Sequence, residues 1–102
     1  MINAVLQIVR IHFKIEFNEK SISYERFLTH LKFFATRVFD NTIYQDSMQE
    51  IYKVLIEENE YAYSGVRKIV EYIEKQYSYK LTIDERLYLL IHIKRILDEQ
   101  SE

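Results

Sequence analysis

A chain of 102 residues with no proline and a single glycine, Gly65, has few ways to turn sharply. Average usage would place roughly five prolines and seven glycines in this length. Tight turns and β-hairpins lean on both residue types, so their scarcity predicts long helices joined by polar loops. One domain, 1–102, is the expected organisation, because a chain this long supports one modest core.

The same composition excludes several kinds of chemistry. There is no cysteine, hence no disulfide framework, no thiolate nucleophile and no cysteine-ligated zinc. No apolar run approaches the ~20 residues that span a bilayer, and the N-terminus lacks the charged start and cleavage site of a signal peptide, so a cytoplasmic protein that does not enter the membrane is expected. Net charge is −2 with both signs interspersed and no basic run, which argues against nucleic-acid binding by this chain itself.

Hydrophobic periodicity divides the chain into five helical segments. In 1–17, Ile2, Val5, Leu6, Val9 and Phe13 form a helical stripe, whereas RIHFKIEF (Arg10 to Phe17) alternates like a strand. No other segment alternates comparably, so a helix to about residue 14 followed by extended chain through Asn18 is favoured. From 23 onward Tyr24, Phe27, Leu28, Leu31, Phe34, Ala35 and Val38 recur at three- and four-residue steps. After the polar break Asp40 to Gln45, Asp46 and Gln49 can cap a third helix whose buried stripe would be Met48, Ile51, Tyr52 and Leu55. A fourth helix carries Ala62, Val66, Ile69, Val70, Ile73 and Tyr77. Thr82 and Glu85 form a capping box ahead of a fifth helix that is apolar around most of its circumference. Such a helix needs cover on several sides, from the bundle or from another chain. The expected fold is all-α, a compact five-helix bundle of antiparallel helices.

Two histidines, His30 in YERFLTHLKFF and His92 in YLLIHIKRI, sit beside these apolar stripes rather than in them. At about 100° per residue His30 lies to one side of the Leu31/Val38 stripe, on the flank that holds Arg26, Phe33 and Arg37. His92 has Tyr88, Leu89, Arg95 and Ile96 as helical neighbours. Each can be a boundary histidine satisfied by a carbonyl or carboxylate. Arginines at helical spacing nevertheless disfavour a protonated imidazole and suit an added phosphate, which a guanidinium binds in a fork. A neutral imidazole can attack a phosphoryl donor without a separate base.

SISYERFLTHLKFFATRVF (Ser21 to Phe39) and LTIDERLYLLIHIKRIL (Leu81 to Leu97) resemble the two histidine-bearing motifs of the PTS regulation domain, the PRD of the BglG/SacY family of bacterial transcriptional antiterminators. The RFLTHLKFFA form is closest to the second of that family's two tandem copies. The resemblance implies a five-helix domain that forms a homodimer. It also implies histidines that take phosphoryl groups from HPr or from a phosphotransferase-system sugar permease, and a phosphorylation state that controls dimer assembly and an N-terminal RNA-binding domain. Carried over by motif, the acceptors are His30 and His92. The phosphate-supporting roles of Arg26, Arg37 and Arg95 come from helical spacing. Neither an RNA-binding domain nor a second copy is present in these 102 residues, so the chain reads as a regulatory module, part of a longer protein or acting alone.

Other constellations carry less. His12 and Glu16 are four apart and could share a metal, but a solvated pair is favoured and no metal or cofactor is expected. The nine tyrosines fall at core spacing (Tyr24, Tyr52, Tyr77) or in polar segments (Tyr61, Tyr63, Tyr79), and filling a core or interface is favoured over base stacking. Glu57, Glu58 and Glu60 read as a solvated acidic cluster. No nucleophile–base–orienter set is present, and no enzymatic activity is expected. The competing reading is a constitutive helical dimerisation module whose histidines are never phosphorylated.

Overall fold

The computed structural model describes residues 1–41 and 49–100, with Gln49 and Glu50 described by backbone only. Five helices follow one another: α1 (Ile2–Phe13), α2 (Ile22–Asp40), α3 (Gln49–Glu58), α4 (Glu60–Tyr77) and α5 (Ile83–Gln100). Among the described residues there is no strand. The expected Asp46/Gln49 cap and the Met48 stripe position lie outside the described residues.

α1 buries Val5, Val9 and Phe13, then stops at Lys14, which adopts the left-handed conformation. The alternating stretch that follows is not a strand. Ile15 and Phe17 lean on the core while Glu16 and Asn18 face solvent, so the period of two records a connector with one side covered. Ser21 then caps α2, its hydroxyl accepting the Tyr24 N–H at 3.0 Å. α2 buries Phe27, Leu31, Phe34, Ala35 and Val38, and ends at Asn41 in the left-handed region, which asparagine tolerates better than most residues.

Asn59 separates α3 from α4 by a single residue, its side-chain amide donating to the Leu55 carbonyl at 2.9 Å. The expected stripe of α3 needs correction. Tyr52 and Leu55 pack against the core together with Ile56, but Ile51 is 53% exposed. α3 rests on α4 and α5 through fewer side chains than its period implies. Its clearest anchor is polar: the hydroxyls of Tyr52 and Tyr63 are hydrogen-bonded to each other, and Arg86 of α5 bonds to both.

Gly65 accounts for the close packing of α1 on α4. A Cβ at this position would clash with the edge of the Phe13 ring, which is itself buried. The groove between the two helices is lined by Gln7, Ile8, Ile11 and His12 of α1 and by Lys68, Glu71, Tyr72 and Lys75 of α4.

α5 occupies the centre, as its circumference requires. Leu87, Leu89, Leu90, Ile93 and Ile96 are all buried, covered by α2, α3 and α4. Its start is the capping box read from sequence, with Glu85 N–H donating to Thr82 Oγ1 at 3.2 Å and Thr82 N–H donating to Glu85 Oε1 at 3.0 Å. Its far end is tied to the α1–α2 connection, where Gln100 Nε2 donates to the Glu16 carbonyl at 2.9 Å.

Candidate functional site

α2 and α5 pack antiparallel, and this alone decides which side chains meet. Counting seven residues forward from His30 reaches Arg37, and seven back from His92 reaches Glu85. The rings of His30 and His92 lie 4.9 Å apart, and two turns away Arg37 Nε donates to Glu85 Oε2 at 3.2 Å. Two residues 62 positions apart in sequence thus become one site.

The rings sit in a shallow surface cleft of about 460 Å³. α2 supplies Ile22, Glu25, Arg26, Thr29, His30 and Phe33, and α5 supplies His92. Two further aromatic rings neighbour the pair, with Tyr88 5.4 Å from the His30 ring and Phe27 6.0 Å from the His92 ring, centroid to centroid. The rim is open and mixed: Phe33 is 65% exposed and Ile22 64%, and Glu25, Arg26 and Thr29 are exposed beside them.

Both imidazoles are half-buried, and their electrostatics follow from that. Burial, then the neighbouring His92 ring and Arg37, pull the His30 imidazole from 6.5 down to about 4. His92 is lowered as well, first by burial and then by Arg95 and Arg26. Both rings are therefore neutral near pH 7, with a lone pair each. Nε2 of His30 and Nδ1 of His92 are buried and have no hydrogen-bond partner. A buried nitrogen left unsatisfied costs about 1–3 kcal/mol, and such groups concentrate at functional sites.

The three arginines divide unevenly. Arg26 and Arg95 act on His92, although Arg26 stands one turn before His30 in the same helix. Arg37 acts on His30 while its guanidinium is engaged with Glu85. Sequence reasoning missed Glu85 as anything but a cap. It is 0% exposed, and its carboxylate accepts the Tyr79 hydroxyl at 2.8 and 3.0 Å as well as Arg37. The capping-box glutamate two residues before the apolar run that begins at Leu87 was legible, but nothing in the sequence placed an arginine of α2 against it.

The tyrosines also need re-sorting. Tyr63 and Tyr79, read as lying in polar segments, are 5% and 4% exposed, whereas Tyr24, Tyr52 and Tyr77 are only half-buried. Nor do His12 and Glu16 form a pair. Glu16 lies 3.5 Å from Arg10, and His12 Nε2 is 2.7 Å from Ser64 Oγ across the α1–α4 contact. Ser64 donates its hydroxyl proton to the Tyr61 carbonyl, so it accepts from His12 and is not a serine activated by a base. Among the described residues no cluster of three or more histidine or acidic side chains could hold a metal ion, and no helix is long and apolar enough to cross a membrane.

Comparison with known proteins agrees with the two motifs. The chain is 48% identical over 95 residues to the transcription antiterminator LicT of Bacillus subtilis (strain 168), covering 93% of this chain and 34% of that protein. It is 38% identical over 98 residues to the beta-glucoside operon antiterminator of Dickeya chrysanthemi, covering 96% of this chain and 35% of that protein. The chain thus spans about a third of the length of these relatives. Residues 3–96 match the PRD domain, and the chain belongs to that family.

Proposed function

We propose that this domain is a phosphorylation-controlled regulatory module of a transcriptional antiterminator or related activator, with His30 and His92 as phosphoryl acceptors. The observation that carries this reading is the pairing of the two rings, 4.9 Å apart in one surface cleft and kept neutral by burial and by arginines. Structural histidines gain nothing from that arrangement, since each leaves a buried nitrogen without a partner.

A neutral imidazole attacks the phosphorus of a phosphorylated donor such as HPr or a sugar permease. The new N–P bond forms as the donor's own bond to phosphorus breaks, and the donor atom leaves with the electron pair. The two buried nitrogens favour attack through the other nitrogen of each ring. Attack through Nδ1 of His30 keeps that ring's proton on the buried Nε2, and attack through Nε2 of His92 keeps its proton on the buried Nδ1. The product adds roughly −1.5 to −2 charge beside Arg26, Arg37 and Arg95. Phe33 and Ile22 on the same rim offer apolar surface to a second copy, so charge added here alters the free energy of a dimer directly.

The test is incubation with phosphoenolpyruvate, the general phosphotransferase enzyme and HPr, with the cognate permease added in a parallel reaction. The expected product is an acid-labile adduct on His30 or His92. Phosphorus NMR should place it on Nδ1 at His30 and on Nε2 at His92. No adduct in either reaction removes the proposal and leaves a constitutive helical dimerisation module, which would keep its dimer when both histidines are replaced by alanine.

A further inference from the structure

Arg37 is committed to Glu85 in the unmodified domain, yet it shares a helix with His30 only two turns away. Those seven residues span about 10.5 Å of helix axis. Helical side chains lean toward the N-terminus, and the arginine side chain, longer than a histidine's, reaches further back along the helix than His30 does, while a phosphoryl group extends outward from the ring to shorten the gap. Arg37 is already close enough to act on the imidazole.

Glu85 gathers three parts of the fold. Its carboxylate receives Thr82 N–H, which starts α5, the Tyr79 hydroxyl, which pins the α4–α5 connection, and Arg37, which joins α2. Arg37 itself lies over the Phe34 ring, 5.8 Å from its centroid. A guanidinium binds phosphate in a fork, and the dianion outweighs a single carboxylate in charge. The opposing cost is a fully buried carboxylate stripped of its cation.

We infer, on the footing of the phosphorylation reading above, that Glu85 and a phosphoryl group on His30 compete for Arg37, so that modification of His30 loosens the Tyr79–Thr82–Glu85 unit at the start of α5. Arg37 is then a two-position arm, and Glu85 is the positioning residue that holds it while His30 is bare. The modification is felt not only at the cleft surface but in the packing of α2 on α5, by one side chain changing partners.

The experiment confines the phosphoryl group to His30 with a His92→Gln chain and follows amide hydrogen exchange over residues 79–86 before and after phosphorylation. Exchange there should quicken by roughly tenfold or more, the scale of a local opening made about 1.4 kcal/mol easier, while the α1–α4 contact is unchanged. In Arg37→Lys, which keeps the charge but lacks the fork, phosphorylation should change exchange far less. A second variant, Glu85→Gln, should exchange quickly in 79–86 from the outset and no longer respond. Phosphorylated His30 with unchanged exchange in 79–86 overturns the competition and leaves phosphorylation standing. Absence of any adduct on His30 overturns the reading beneath it, and the competition with it.

Discussion

His30 joins a low proton affinity to a position on the cleft wall, and that has a consequence for stability. A histidine whose folded-state pKa lies below its unfolded value of 6.5 is protonated more readily in the unfolded chain. His30, at about 4, therefore contributes nothing adverse above pH 6.5, and stability falls as pH drops from 6.5 toward 4. His92 and His12 are lowered as well and act in the same direction. Thermal unfolding followed by circular dichroism at pH 7 and pH 5 should show the midpoint falling on acidification. His30→Gln should fall less, because the group that takes up the proton on unfolding is gone. An equal fall in both chains would mean that His30 titrates normally.

Between elements, the contact with least room is α1 against α4. Phe13 is wedged at Gly65, with His12 edge-on to it and Tyr61 5.1 Å away, so the ring has nowhere to swing. Gly65→Ala adds a methyl to a filled space, where overpacking costs about 1–3 kcal/mol and outweighs the helical preference of alanine. Urea denaturation should show that loss without a change in slope, and a Gly65→Ala chain as stable as the parent would mean that α1 can lift off α4 at little cost. The start of α5 is secured differently. There the Thr82–Glu85 box satisfies two otherwise orphaned N–H groups, while Tyr79 and Arg37 hold the same carboxylate from outside the helix.

Exposed apolar side chains occur on several helices, among them Ile11, Phe39, Val54 and Tyr61, and two of them, Phe33 and Ile22, stand beside the paired histidines. If that face receives a second copy, Phe33→Glu should abolish self-association in analytical ultracentrifugation while changing monomer stability by no more than about 0.5 kcal/mol, as for an exposed position. Dimerisation that survives this change would place the interface elsewhere. Much of the fold was legible beforehand because helices are local. Missing proline, three- and four-residue apolar steps, the Thr82–Glu85 cap and the all-round apolar α5 each follow from interactions within a few residues. The two histidines proposed as acceptors were legible by motif, because each motif is a short local stretch. The exposure of Ile51, the burial of Tyr63 and Tyr79, the ring-to-ring contact of His30 with His92 and the Arg37–Glu85 bond were not. Each depends on how one helix is rotated and aligned against another, and in a packed core that alignment is settled by many side chains at once, with no local pattern to record it.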